Sequence, residues 1–416
     1  MRSYFLFVLC FFVLLLDFYC YKAIIASFKN WSVNLKRNFG VIWFTFSILL
    51  IIGVFAAIFL NLFLSLRAVI LVAFFLSVVA KVFMLPFLLV DDVRRIVIKF
   101  FRIRKKPNTK KTNELTTNEP ISRSAFLTKA GLVAAAIPLS SLSWGIVSGA
   151  YDYNIKRVKL ILPNLPKAFD GIKLAQISDI HSGSFYNKTA VKGGVEMLMA
   201  EKPDLVFFTG DLVNNLTNEV RDYQDIFAKV KAPLGVYSVL GNHDYGDYHF
   251  GRESSPAKVK NLQDMIITHK LMGYDLLMNE NRRIKVDGEE IGILGIENWG
   301  TGRFPKYGKM NLANKNTDDL PVKLLLSHDP SHWRGEILEK YNDIDVMFSG
   351  HTHGMQFGVR LKEFQWSPVQ YIYKEWAGLY QQQQQQLYVN VGYGFLGYPG
   401  RVGILPEITI FELKRS

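Results

Sequence analysis

Apolar residues follow two different rhythms along this chain. Up to residue 150 they come in long runs, Tyr4 to Tyr21, Val41 to Leu64 and Ala68 to Val90, each near the ~20 residues a helix needs to cross a bilayer. A fourth run, Gly131 to Ala150, is shorter and milder. Three readings are open to it: a true span, a signal-anchor, or a helix lying at the interface. From Lys173 onward the runs become short and β-rich, and they end in polar clusters. LAQISDIH, DLVFFTGD, GVYSVLGNHD, VKLLLSHDP and DVMFSGHTHG each predict a buried strand followed by an abrupt loop. Helical spacing over Thr189 to Glu201 and Val220 to Lys231 lies between them. This alternation predicts an α/β domain whose sites form at the carboxyl ends of strands. The expected organisation is three transmembrane helices in 1–90 and a basic then polar cytoplasmic linker in 91–130. A fourth transmembrane helix or signal-anchor follows in 131–150, and the α/β domain occupies 151–416.

Basic residues set the orientation, because loops rich in Lys and Arg stay cytoplasmic. The first loop carries Lys22, Lys29, Lys36 and Arg37, the second only Arg67. The third holds Arg94, Arg95, Lys99, Arg102, Arg104, Lys105, Lys106, Lys110 and Lys111. Four spans then put both termini, and the α/β domain, on the extracytoplasmic side of the cell membrane, facing periplasm or cell surface. Three would leave that domain cytoplasmic. Just before the fourth run, Ser122 to Lys129 resembles a twin-arginine export signal in which Ser124 stands at the second arginine. A basic flank ahead of an apolar segment equally describes a signal-anchor, so export is the expectation. The basic linker is expected either to lie on anionic headgroups or to act only as a topology determinant. Asp17 and Lys81 fall at similar depth in two spans that run in the same direction, which predicts a structural ion pair between helices.

Charge is divided as sharply as hydropathy. The chain carries 49 Lys+Arg against 36 Asp+Glu, but residues 1–150 account for 18 of the basic and only 5 of the acidic side chains. Residues 151–416 are therefore formally neutral and offer no footprint for a phosphate backbone, which excludes a non-specific nucleic-acid binder. The two cysteines, Cys10 and Cys20, lie in the first apolar run, so the α/β domain has neither disulfides nor a thiolate metal site.

All eight histidines occur after residue 180. His249, His269 and His332 lack a strand-end setting and are expected on the surface or in structural roles. His181, His243, His328, His351 and His353 belong to the ordered set Asp179-x-His181, Gly210-Asp211, Gly241-Asn242-His243-Asp244, His328 and Gly350-His351-Thr352-His353. Imidazole, carboxylate and amide oxygens together suit borderline or hard divalent cations such as Mn, Fe, Zn or Mg. Glycines at 210, 241, 350 and 354 allow sharp turns beside such ions.

Five blocks in this order resemble the calcineurin-like metallophosphoesterase family over roughly residues 155 to 413. The resemblance implies a four-layer αββα sandwich of two mixed β-sheets. It also implies a binuclear centre, with Asp179, His181 and His353 on one divalent ion, Asn242, His328 and His351 on the other, and Asp211 bridging them. Two cations about 4 Å apart can polarise phosphoryl oxygens, activate water and clamp an in-line displacement. His243 is expected as general acid to the leaving oxygen or stabiliser of phosphoryl charge, and Asp244 as the group that orients it. The closing blocks, Leu387 to Gly394 and Pro399 to Leu413, resemble the membrane-associated bacterial branch of the family. Within them Arg401 is expected either to bind a substrate phosphate or to form a structural salt bridge.

Two segments stand outside that pattern. Phe357, Phe364, Trp366, Tyr371, Tyr373, Trp376 and Tyr380 are expected either to face the core alternately or to form an exposed surface for acyl chains or the membrane. Gln381 to Gln386 read as a polar loop between two strands. The expected activity is phosphodiester or pyrophosphate hydrolysis on a lipid-linked or envelope phosphoester. The resemblance also admits UDP-2,3-diacylglucosamine pyrophosphate hydrolysis in lipid A synthesis, which needs a cytoplasmic-facing site. A membrane sensor or scaffold that keeps the fold without the reaction is the alternative of another class, opposed by the complete ligand set. Transport is opposed by the few polar residues in the spans.

Overall fold

The chain divides into two units, Met1–Ser143 and Trp144–Ser416. The computed structural model describes residues 2–60, 64–103, 123–302, 304–361 and 364–416. In the N-terminal part, α1 (Arg2–Ser27), α2 (Val33–Phe59), α3 (Leu64–Ile103) and α4 (Arg123–Val147) are all long and apolar enough to cross a membrane. Ser32 caps α2 by accepting the Leu35 N–H (3.2 Å). Cys20 and Ile24 of α1 pack on Met84 and Leu88 of α3. Between the same helices Lys81 Nζ lies 2.5 Å from Asp17 Oδ1, with Asp17 fully buried. The expected ion pair is therefore present, and each charge neutralises a partner that apolar surroundings would otherwise penalise.

Two boundaries differ from the sequence expectation. α3 does not stop at Val90 but continues to Ile103, taking in the first part of the expected linker. In this extension Asp91 pairs at helical spacing with Arg94 (2.7 Å) and Arg95 (2.8 Å) and accepts a bond from Ser124 (2.6 Å). α4 likewise begins at Arg123 rather than Gly131. Inside α4, Ser140 returns its hydroxyl to the Ala136 carbonyl (2.8 Å), which lets a polar residue sit in an apolar helix. The remainder of the linker, 104–122, with Arg104, Lys105, Lys106, Lys110 and Lys111, lies outside the described residues.

Among the described residues the C-terminal unit has fourteen strands. They are β1 (Asn154–Leu162), β2 (Lys173–Ile177), β3 (Leu205–Phe208), β4 (Val236–Ser238), β5 (Asp275–Leu276), β6 (Glu280–Val286) and β7 (Glu289–Gly295). Then come β8 (Lys323–Leu326), β9 (Val346–Ser349), β10 (Val359–Arg360), β11 (Gln365–Trp366), β12 (Gly378–Gln382), β13 (Gln385–Val389) and β14 (Glu407–Arg415). One six-stranded sheet has the order β1-β14-β2-β3-β4-β5 and the other β12-β13-β9-β8-β7-β6. Both are mixed, because β14 runs antiparallel to β2 while β2, β3 and β4 are parallel, and β8 and β9 are parallel while β6 and β7 are antiparallel.

Strand alternation assigns each side chain to a layer. Leu205 and Phe207 of β3 face the space between the sheets, where they join Leu324, Leu326, Val346, Phe348 and Phe411. Val206 and Phe208 face outward onto a helical layer that includes Val191, Val195 and Leu198 of α5 (Lys188–Ala200). On the far side Leu325, Met347 and Leu387 meet Trp333 and Ile337. The result is the expected αββα sandwich. The inter-sheet layer is closed by Phe348, edge-on to Phe207 (5.1 Å) and to Phe411 (5.2 Å).

Local departures have local causes. Thr189 to Glu201 is helical nearly as expected, but Val220 to Lys231 keeps only one α-helical turn, Gln224–Phe227, between tighter turns. There Tyr223, Ile226, Lys229 and Val230 each donate to the carbonyl three residues back, and this tighter winding buries the same apolar residues at three-residue spacing. The glutamine tract is mostly strand rather than loop. Gln383 turns with φ 54° while Gln385 is buried, its amide donating to the Tyr341 and Ile344 carbonyls (2.8 and 3.0 Å).

Candidate metal centre

The five motif loops all leave the carboxyl ends of parallel strands, β2, β3 and β4 in one sheet and β8 and β9 in the other. Such ends are where open α/β sheets form sites. The loops turn so sharply that Asp179, His181, Asp211, His351 and His353 all take left-handed φ, between 49° and 72°. That conformation costs non-glycine residues about 1–3 kcal/mol each and persists only where the surroundings impose it. Two glycines make room. A Cβ at Gly241 would lie 2.1 Å from Asp211 Oδ1, and one at Gly350 2.1 Å from Asp179 Oδ2.

Two groups of donors result, Asp179, His181 and His353 in one and Asp211, His328 and His351 in the other, with ligand atoms inside each group within 4.8 Å of one another. His353 Nε2 lies 3.2 Å from Asp179 Oδ1 and 3.0 Å from His181 Nε2. His351 Nδ1 lies 3.3 Å from His328 Nε2. A single oxygen, Asp211 Oδ2, reaches both groups, at 3.1 Å from His328 Nε2 and 3.5 Å from His181 Nε2. The His328 ring is fixed by the Thr209 carbonyl at Nδ1 (2.8 Å), which turns its Nε2 toward the cluster.

This donor set fits divalent cations. Imidazole nitrogens face one another and face carboxylates, and the buried Asn242 Oδ1 has no protein partner while its Nδ2 donates to Tyr248 (2.9 Å). Convergent lone pairs of this kind repel unless a cation lies among them. The field is correspondingly strong. Burial pulls His181 down to about 3, against the Asp211 carboxylate. Burial would also lower His328, but the charge and hydrogen bond of Asp211 carry it up to about 10. Burial opposes ionisation of Asp179 and Asp211, yet the imidazoles around them hold both below the usual carboxylate range, His353 chiefly for the first and His328 for the second.

His243 stands at the edge of the cluster, its ring edge-on to His181 (5.0 Å) and stacked on Tyr248 (4.4 Å). Its Nδ1 meets the Asn214 carbonyl at 2.6 Å, which favours the Nδ1–H tautomer. Asp244 does not orient it, contrary to expectation. The Asp244 carboxylate instead accepts the backbone N–H groups of Asp211 (2.9 Å), Leu212 (2.8 Å), Val213 (3.3 Å) and Gly241 (2.9 Å). Burial and then Asp211 raise it to about 7, against the Gly241 and Val213 amides and the His328 ring.

Arg401 is also placed differently from the phosphate-binding expectation. It is fully buried and its guanidinium donates to the carbonyls of Gly394 (2.8 Å), Ile404 (3.3 Å) and Val391 (2.8 Å), with one nitrogen 3.4 Å from His353 Nδ1. A fork shaped for a phosphate is satisfied here by carbonyls, and burial lowers it to about 10. His249 is exposed, whereas His269 and His332 are buried against Ser238 (2.9 Å) and Ser327 (3.0 Å), as structural histidines.

Three neighbours carry no signal in the motifs. Glu219 accepts the N–H groups of Asn214 (2.6 Å) and Leu216 (3.2 Å) and so fixes the carbonyl that holds His243. Tyr248 supports both His243 and Asn242, and the Tyr373 hydroxyl lies 2.7 Å from His351 Nε2, on the ring edge away from the cluster. The Tyr373 contact generates a test. Tyr373→Phe leaves only Asp329 Oδ2, 3.7 Å away, beside His351 Nε2, so affinity for one of two Mn ions is expected to fall roughly 10–100-fold. Thermal stability should stay near that of the unsubstituted chain. Calorimetric titration measures it, and unchanged affinity at both sites would remove Tyr373 from the centre.

Comparison with known proteins agrees with this geometry. Residues 172–355 match the family model for calcineurin-like phosphoesterases. Residues 1–150 match a model described as a probable calcineurin-like phosphoesterase transmembrane domain. A transmembrane protein with metallophosphoesterase domain from Danio rerio is 28% identical over 282 residues, covering 66% of this chain and 60% of that protein. Its Bos taurus counterpart is 26% identical over 284 residues, covering 65% and 60%. An uncharacterised metallophosphoesterase of Bacillus subtilis is 29% identical over 259 residues, covering 61% of this chain and 82% of that one. The chain thus spans about 60% of the length of its two vertebrate relatives. With the ordered motifs brought to one place and both regions matched, the chain belongs to the calcineurin-like phosphoesterases, a family of metal-dependent hydrolases, and carries a transmembrane region ahead of its hydrolase domain.

Proposed function

We propose that this protein is a membrane-anchored phosphoesterase with a binuclear metal centre, acting on phosphodiester or pyrophosphate bonds of lipid-linked or envelope substrates. The observation that carries the proposal is the reach of Asp211 Oδ2 to both donor groups. Asp179, His181 and His353 would hold one divalent ion, and Asn242, His328 and His351 the other, with Asp211 shared. When bound, such ions polarise phosphoryl oxygens and make water nucleophilic near neutral pH. The chain's own residues supply the rest. His243, held at Nδ1 by Asn214, presents Nε2 to protonate the departing oxygen or to stabilise phosphoryl charge. Asp244 fixes the 211–213 backbone, and Glu219 fixes Asn214.

Activity is tested on the full-length chain in detergent, loaded with Mn and given bis-p-nitrophenyl phosphate. Turnover abolished by a chelator is expected. His243→Ala should lower it about 10²–10⁴-fold, and Asp211→Asn should remove it while the circular dichroism spectrum is retained. Near-normal turnover in either variant would refute the site assignment.

The side of the membrane is a separate part of the proposal. Four helices of spanning length, with Lys and Arg concentrated after the first and third, support an extracytoplasmic hydrolase domain. A C-terminal fusion to alkaline phosphatase should then be active and one to green fluorescent protein dark. The reverse pattern would favour a cytoplasmic-facing site and the nucleotide-lipid substrate.

A further inference from the structure

The segment after the last ligand loop leaves the centre at His353 and returns to it at Tyr373, beside His351. Between these points the chain turns apolar side chains outward. Met355, Phe357, Leu361, Phe364, Tyr371 and Ile372 are 48%, 38%, 66%, 58%, 78% and 69% exposed, while Trp376 further on is core. The expected aromatic stretch is thus split between surface and interior. Its outward half is held in place by backbone bonds, for β10 and β11 pair antiparallel and the Leu361 N–H donates to the Phe364 carbonyl (2.8 Å). An apolar surface this dense, presented by a fixed backbone, marks a contact site.

The fold indicates what it contacts. Gly358 N–H donates to the Val402 carbonyl (2.9 Å) and Val402 N–H to the Gln356 carbonyl (2.8 Å). The adjacent Arg401 N–H donates to the Gly145 carbonyl (3.1 Å), in the last turn of α4. In that turn Trp144 and Val147 are themselves largely exposed, and the half-exposed Tyr186 donates its hydroxyl to the Ile146 carbonyl (2.8 Å). α4 has the length and hydropathy of a membrane span and ends at Val147. A span ending at Val147 would put the boundary between lipid and water near Trp144–Val147, and a short run of backbone bonds ties the outward apolar segment to that turn.

We propose that residues 355–361 and 364–372 form a bilayer-seating surface, lying in the headgroup and acyl boundary of the membrane that α4 spans, with Phe364, Tyr371 and Ile372 inserted. Aromatic and aliphatic side chains in this position behave as the apolar face of an interfacial segment. The catalytic consequence rests on the phosphoesterase reading. A substrate whose acyl chains remain in the bilayer would bring its phosphate along this face to the ligand loops, so the favoured class is a glycerolipid or other acylated phosphoester.

The test uses the full-length chain with Cys10 and Cys20 replaced by alanine. Phe364→Cys, Ile372→Cys and, as a control on the exposed side chain of a distant helix, Lys260→Cys are each labelled with a nitroxide and reconstituted in phosphatidylcholine nanodiscs. Collision with oxygen, which partitions into lipid, is compared with collision with a water-soluble nickel chelate. At 364 and 372 the oxygen-to-nickel ratio is expected to exceed that at 260 severalfold. Equal ratios at all three positions would overturn the proposal, as would labels shielded from both reagents in nanodiscs and detergent alike, which would mean cover by a second copy or a protein partner. Hydrolysis of bis-p-nitrophenyl phosphate by the same preparations separates the two readings. Lipid-facing labels without turnover uphold the surface and refute the activity, and turnover with water-facing labels does the opposite.

Discussion

One carboxylate oxygen, Asp211 Oδ2, lies between two sets of imidazoles, and much of the C-terminal unit serves to hold it there. The Asp211 backbone N–H donates to Asp244, its other side-chain oxygen accepts the His243 N–H (2.9 Å), and Gly241 leaves space beside it. Each bond is modest by itself. Together they keep a buried charge in a left-handed turn that an isolated chain would leave.

The sandwich supplies the rigidity that this arrangement needs. Strands β3, β8 and β9 are buried on both faces, so their ends cannot shift without moving two packed layers. Gln176, from one sheet, donates to the Ser349 carbonyl of the other (3.0 Å) just beneath the ligand loops. The loops of the two sheets, each of which contributes to both donor groups, are thereby registered within the small tolerance that metal coordination would require. Arg401 adds a buried cation behind His353, bound to carbonyls and close to Asp179.

How much of this was readable in the chain depended on where the information lies. The five strand-loop blocks were readable because doubly buried strands are short unbroken apolar runs, and their ligands sit immediately after them in sequence. The sandwich and the Asp17–Lys81 pair accordingly appear as expected, and the motif side chains converge in space. Asp244 was not readable, since adjacency to His243 along the chain says nothing of direction. On this turn the carboxylate points back into the 211–213 amides while the imidazole points to Asn214. Arg401 carries a fork that suits phosphate or carbonyls, and only burial decides between them. Tyr373, Tyr248 and Glu219 act through contacts between loops whose order in sequence carries no spacing rule. The length of α3 was hidden because Asp91, Arg94 and Arg95 look like a linker until their helical pairing is seen.

The most direct measurement is the number of metal ions per chain. Full-length protein loaded with Mn and freed of excess metal by desalting should retain two ions, and Asp211→Asn at most one. A chain that retains a single ion or none, or an Asp211→Asn variant that still holds two, would contradict a centre built around a shared Asp211.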